Sequence, residues 1–344
     1  MARRLPWKAI VGVVISLACS VLFLWSVDWS ALGDALGGVK LLLVLGASVL
    51  LLGEFVLRAV RWKVLLRPVA PDARIRDLFV ATVIGAAANT LLPLRAGEIA
   101  KPVVASRKTG AALAPVVATS VMERVYDIFG LICVLLAMVA VLPRDPGRSA
   151  EDAVLVENLK VYGGLFGSAA LVAMVIFFVL ASRGAAAKSV FQMITRLAPK
   201  PVANKFDELF DGFVAGLGNA RDPRGLVQAA AVSVAIWFNG ALAIYVLFGA
   251  FDLDLGLGAA CFTAVAIALT VAVPQAPGFF GVFHVAIQKT MELWDVDPTP
   301  AKAFAIIFWG VSFLPVTLTG LLAMWSEGLS LGGLWSKRGD GGKQ

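Results

Sequence analysis

The chain has 344 residues but only one histidine, three cysteines and three tyrosines, and charged side chains make up just 15% of it. No His/Cys pattern reaches the spacing of a metal site. Cys19, Cys133 and Cys261 all fall inside apolar segments, which speaks against a disulfide framework. There is no glycine-rich phosphate loop and no nucleophile motif with a matching base, so the familiar nucleotide-binding and hydrolase signatures are absent. Asp252-Leu253-Asp254 imitates the Asp-x-Asp of metal-dependent glycosyltransferases, but in a short loop between apolar segments it reads as coincidence. The expectation is no catalytic residue, no metal and no cofactor. The net charge of +7 sits largely in links. It reads as membrane topology and anionic-lipid contact, with no nucleic-acid partner.

What is present is apolar. Hydrophobic residues make up 59% of the chain and mean hydropathy is +0.86, against roughly 45–50% apolar residues in soluble domains. The composition predicts an all-α polytopic membrane protein, with residues 1–344 forming a single transmembrane domain. Full spans are expected at 9–27, 41–66, 112–142, 161–181, 226–251 and 301–324. The first of these is longer than the roughly 7–15 apolar residues of a signal peptide, so it is expected to stay as an uncleaved span. Phe206, Leu209, Phe210, Phe213 and Leu217 form one stripe, which predicts an amphipathic surface helix docked on lipid or on protein.

Two apolar segments are interrupted. Residues 78–92 form a helix of about 22 Å, short of the ~30 Å hydrocarbon core. It runs into Asn89-Thr90-Leu91-Leu92-Pro93-Leu94-Arg95-Ala96-Gly97-Glu98-Ile99-Ala100-Lys101, where Pro93 removes a backbone donor and Gly97 loosens the chain. Residues 258–273 are followed by Pro274-Gln275-Ala276-Pro277-Gly278-Phe279-Phe280-Gly281, with Gly278 and Gly281 expected to allow close helix approach. Broken helices are tolerated in a membrane only where protein or water satisfies the freed backbone. They predict two re-entrant hairpins, at 78–108 and 258–291.

The basic links place both termini in the cytoplasm. The chain then divides into a first inverted half at 1–142, an extracytoplasmic loop, fourth span and cytoplasmic linker at 143–225, the rest of the second half at 226–330, and a basic tail at 331–344. Interrupted segments at matching places in two inverted halves point to a transporter's central site.

The charged candidates cluster. Glu54, Arg58 and Arg61 share one helix face near the end of the second span. They read either as interfacial residues snorkelling to headgroups or as a basic site gripping phosphate. Glu123, Arg124 and Asp127 sit about 16 Å into the third span, where ionisable groups default to function. They read either as such a site or as a structural network paired with Arg95 or Lys101. Asn89, Arg95, Glu98, Lys101, Gln275 and His284 complete the candidate substrate-binding set. His284 is either a hydrogen-bonded structural residue or a titratable group for proton coupling.

Arg61-Trp62, Asn89…Leu92-Pro93-x-Arg95-x-Gly97-Glu98, Glu123-Arg124…Asp127 and Pro274-x-x-Pro277-Gly278-x-x-Gly281 resemble, in that order, the flippase-like membrane domain of lysylphosphatidylglycerol synthases. The resemblance covers most of the chain. It implies a multi-pass protein of a prokaryotic cytoplasmic membrane that moves amphipathic lipids between leaflets. The lipid partners it implies are anionic phospholipids, aminoacylated lipids, hopanoids or polyprenyl-linked glycans. It also implies an acidic residue where this chain has His284. The synthases' soluble aminoacyl-transferase domain has no counterpart in the sequence, so lysyl transfer is not expected. An integral-membrane transferase or phosphatase acting on a lipid-linked substrate is the competing expectation, and a scaffold subunit a third.

Overall fold

The computed structural model describes residues 18–25, 27–92, 95–141, 223–272 and 277–329, with isolated helical positions between 157 and 172. Among these residues every regular element is helical. After a helical stretch at 18–25 come α1 (Trp29–Gly37), α2 (Leu41–Leu66), α3 (Ile75–Leu91), α4 (Gly97–Thr109), α5 (Leu113–Val141), α6 (Pro223–Ala250), α7 (Leu257–Ala272), α8 (Val282–Glu292) and α9 (Pro298–Ser326). One 3-10 turn, Pro277–Phe279, precedes α8.

Among the described residues, four helices are long and apolar enough to cross a membrane: α2, α5, Arg224–Ala250 of α6, and α9. At 26, 29, 27 and 29 residues they reach about 39–44 Å, more than the ~30 Å required. They coincide with the expected spans at 41–66, 112–142, 226–251 and 301–324. The expected span at 9–27 is described only from residue 18, and that at 161–181 only at isolated positions. The amphipathic segment 205–217 and the tail 331–344 lie outside the described residues, as do Pro93, Pro274 and Gln275.

Both interruptions fall where the prolines predict them. α3 ends at Leu91 and α4 starts at Gly97, while α7 ends at Ala272 and α8 starts at Val282. The glycines act differently from expectation. Among the described residues of the first break, Arg95 is left-handed, at φ 53°, and Gly97 begins the following helix. A Cβ on Gly97 would lie 1.8 Å from the Gly85 carbonyl oxygen. Gly97 therefore lets α3 and α4 touch; it does not loosen the chain. Gly278 and Gly281 show the opposite correction. Their φ values are 74° and 85°, and a Cβ on Gly278 would meet nothing closer than 3.9 Å. Both supply positive-φ backbone, and at Gly278 no close approach requires the glycine.

α6 lies along α2 and against α5, and α9 crosses α3. Small residues set these crossings too. A Cβ on Gly320 of α9 would sit 2.4 Å from the Val83 carbonyl of α3, and one on Gly130 of α5 would sit 2.8 Å from the Ser233 carbonyl of α6. One buried apolar cluster gathers Trp62, Leu78, Ile84, Tyr126 and Met324. Another gathers Phe248, Phe283, Phe304 and Phe308. Outside the long helices, Asp28 caps α1 by accepting from the Ser30 and Ala31 amides. The Ser30 hydroxyl and the Ala31 amide hold its carboxyl below the usual carboxylate range. Lys40 pairs with Asp252, joining two links at one end of the bundle.

Because α3 and α4 meet backbone to backbone, Gly97→Ala has nowhere to put its methyl group. Overpacking typically costs ~1–3 kcal/mol, so its thermal unfolding temperature in detergent should fall clearly. Gly53→Ala, on α2 with nothing within 4 Å, should unfold at or slightly above the wild-type temperature.

Candidate functional site

The polar residues singled out on α2, α4 and α5 converge on one network. Arg61 is its centre, fully buried. Its Nη1 lies 2.8 Å from Asp127 Oδ1 and its Nη2 lies 3.7 Å from Glu123 Oε1. Nη1 also donates to the Ser233 hydroxyl of α6 at 3.0 Å. The snorkelling expectation for Arg61 is thus overturned: the side chain turns inward because two buried carboxylates on α5 need a cation. Trp62 turns inward with it and donates from Nε1 to the Thr119 hydroxyl at 3.0 Å.

Lys101 of α4 donates to Glu123 Oε2 at 2.5 Å, and its ammonium sits 4.2 Å from the Trp62 ring centroid. Charge pairing and the ring face both favour the cation there. Pro102, next in sequence, lies inside α4 and cannot donate to the Glu98 carbonyl one turn back. Arg58 donates to Glu54 from Nε at 2.9 Å and approaches Asp127 at 3.6 Å. Arg124 bridges outward, at 3.0 Å from Asp127 and 2.8 Å from Glu98 Oε2. Asn89 of α3 offers Nδ2 to Glu98 at 3.5 Å. Of the two cations expected to pair with the α5 acids, Lys101 does so and Arg95 does not. Arg95 Nη2 donates instead to the Val271 carbonyl at 3.0 Å, near the C-terminal end of α7, where carbonyls lack helical donors.

That bond brings the two interruptions together. The Pro277–Phe279 turn packs against α3, and Trp309 Nε1 donates to the Gly278 carbonyl at 2.7 Å. His284 is not brought to the ion network. It is fully buried among the rings of Phe23, Phe280, Phe283 and Trp309. Neither ring nitrogen has a hydrogen-bond partner among the described residues.

Exposure grades across the network. The Arg61 and Glu123 side chains are 1% and 2% exposed, whereas Arg124 and Glu98 are 51% and 35% exposed. Arg124 lies about 16 Å from the start of α5, midway along a 29-residue apolar helix. Its neighbours on the same face, Val117, Val121 and Ile128, are exposed as well, as is Ile99 beside Glu98. A half-open ion pair therefore interrupts an exposed apolar stripe. Elsewhere, a cavity of about 470 Å³ lies between the α2–α3 link and the end of α4, lined by Asp72, Arg74, Asp77 and Lys108 among others. Lys108 there is already paired with Asp77 and Glu327. Among the described residues no group of His, Cys, Asp and Glu is placed to hold a metal.

Ordered helices, two Pro/Gly interruptions and a buried Arg–Glu–Asp core now stand beside the sequence motifs. The family profile described as "Lysylphosphatidylglycerol synthase TM region" matches residues 9–320. The chain belongs to that family. It is also similar to "UPF0104 membrane protein MJ1078" of Methanocaldococcus jannaschii, with 23% identity over 235 residues, 68% of this chain and 91% of that one. No solved structure matches the chain. This LPG synthase TM region protein is a multi-pass membrane protein, and Arg61, Asn89, Glu98, Glu123, Arg124 and Asp127 are the residues that the quoted motifs and the polar network share.

Sequence reasoning missed Ser233, Trp62 as a lysine platform, and the Val271 carbonyl. The first two are ordinary residues in apolar helices, and the third is backbone. None carries a signal in sequence.

The two ends of the network should respond differently to mutation. Arg61→Leu removes the fully buried cation shared by two carboxylates, leaving Glu123 to Lys101 and Asp127 to Arg124 and Arg58, and breaking a buried pair costs about 3–5 kcal/mol. Arg124→Gln removes a half-exposed pair worth about 0–1 kcal/mol. Unfolding in detergent micelles should separate the two variants, with Arg61→Leu poorly folded and Arg124→Gln close to wild type.

Proposed function

We propose that this protein moves an amphipathic lipid or lipid-linked molecule between the leaflets of the membrane, without changing it covalently. The observation that carries the reading is the Arg124–Glu98 pair, half open at mid-helix within the exposed stripe of Val117, Val121 and Ile128. An ion pair facing hydrocarbon is costly, and such groups in membranes mark pathways or water-filled cavities. A polar spot set in an apolar stripe has the chemistry of a ligand with a charged head and an apolar tail.

In this reading the broken pairs α3–α4 and α7–α8 are re-entrant hairpins in two inverted halves, and the chain crosses the membrane six times. Their meeting point, where Arg95 reaches the Val271 carbonyl, is the floor of the polar path. Both termini are cytoplasmic by the distribution of basic links, and the membrane is the cytoplasmic membrane of a prokaryote. Arg61, Lys101, Glu123 and Asp127 hold the path's wall; Arg124, Glu98 and Asn89 meet the headgroup.

Proteoliposomes carrying headgroup-labelled lipids test this. Wild type should move at least one lipid, and Arg124→Gln and Glu98→Gln, checked for folding, should slow that movement about tenfold or more, the effect of about 1.4 kcal/mol. Lipids that never cross, with or without a proton gradient, would end the translocation reading. A chemically altered lipid found by mass spectrometry would replace it with an enzyme.

A further inference from the structure

The exposed end of the network says what charge it accepts. Glu54, Glu98, Glu123 and Asp127 face Arg58, Arg61, Lys101 and Arg124, so the cluster is formally neutral. Each cation already touches a carboxylate. Only Arg124 and Glu98 are open enough to exchange partners.

Each kind of headgroup can be followed through that exchange. An anionic headgroup taking Arg124 would strand Glu98, whose remaining contact is the Asn89 amide at 3.5 Å. A cationic headgroup taking Glu98 would leave Arg124 with Asp127, a carboxylate that Arg58 and Arg61 also approach. Only a headgroup that carries both charges replaces the broken pair one for one. Asn89 borders the same pair from α3: its Nδ2 donates to Glu98 at 3.5 Å, while its Oδ1 packs against Gly97, where a Cβ would lie 2.6 Å away.

Resting on the translocation reading above, we propose that the headgroup recognised at this site is zwitterionic, one phosphate and one ammonium on a short linker. The phosphate takes Arg124, whose guanidinium grips it through two N–H bonds. The ammonium takes Glu98. The acyl chains lie along Val117, Val121 and Ile128. The order of preference is zwitterionic first, net cationic second, net anionic last.

The test offers the purified full chain in detergent equal amounts of phosphatidylethanolamine, phosphatidylglycerol and cationic ethylphosphatidylcholine, with bound lipid counted by native mass spectrometry. Wild type should hold the zwitterion over phosphatidylglycerol by about fivefold, the size of one half-exposed ion pair. Glu98→Gln, which leaves the site one positive charge in excess, should move the preference to phosphatidylglycerol. Arg124→Gln should move it to the cationic lipid. Lys289→Gln, at an exposed and separate pair, should leave the order as in wild type. A structural role for Arg124 and Glu98 would lower binding of all three lipids together and reverse no order.

Equal or greater retention of phosphatidylglycerol by wild type overturns the proposal, as does an unchanged order in Glu98→Gln. Glycerophosphoethanolamine without acyl chains competing as well as the lipid would overturn the assignment to a lipid. The readout needs no transport. A chain that shows this binding order but moves no lipid ends the translocation reading alone, and one that moves lipids without charge preference ends this proposal alone.

Discussion

A guanidinium sealed inside an apolar bundle has to be neutralised, and the arrangement around Arg61 follows from that requirement. Its side chain is drawn from the α2 end towards Asp127 and Glu123 on α5. Glu123 must then be shared with Lys101, which fixes α4 against α5. Lys101 lies where a Cβ on Gly85 would come within 2.8 Å of it, so α3 and α4 have to be in backbone contact. Glu98, Glu123 and Asp127 are each compensated by a neighbour on another helix, and the network acts as a polar clasp between segments that hydrocarbon alone would not hold in register. Buried pairs of this kind are weak evidence for stability; what they supply here is a defined place for the outermost pair.

The second constraint is the backbone at the two breaks. Helix ends in an apolar setting need partners for their carbonyls and amides. Arg95 covers the Val271 carbonyl and Trp309 covers the Gly278 carbonyl. The second interruption is thus satisfied in part by Arg95 of the first and in part by Trp309 of α9, which ties the two breaks together. In the proposed translocation reading, the polar path runs past both breaks, with the Arg124–Glu98 pair at its open side.

Much of this was readable in the sequence, and the omissions share a cause. Pro93 and the Pro274–Gly281 run marked both breaks because proline's missing donor is a local fact. Glu123, Arg124 and Asp127 stood out because three charges deep in an apolar helix have no bland local explanation. Arg61 was misplaced because a charge near a helix end usually reaches the interface. The deciding contacts lie on α5 and at Ser233, 172 residues away. Sequence leaves Arg95 and Lys101 as equal candidates for the α5 acids, because the backbone carbonyl that takes Arg95 leaves no trace in it. Gly97, Gly278 and Gly281 were recognised as glycines with a purpose, yet left-handed backbone and close approach look identical until the neighbours are known. His284 was grouped with the polar site through its chemistry, while the fold surrounds it with aromatic rings.

The central claim is that the Arg124–Glu98 pair faces water inside the membrane, not lipid and not packed protein. Accessibility of single cysteines tests it most directly. In a background with Cys19, Cys133 and Cys261 replaced, Glu98→Cys and Arg124→Cys would be treated in intact membranes with a membrane-impermeant thiol reagent. Val49→Cys, on an apolar face that is 71% exposed, serves as the lipid-facing comparison, and Ala59→Cys, fully buried, as the packed one. The account predicts rapid labelling at 98 and 124 and none at 49 or 59. Labelling at 98 and 124 no faster than at 49 would contradict it, because a pair that water does not reach cannot receive a headgroup.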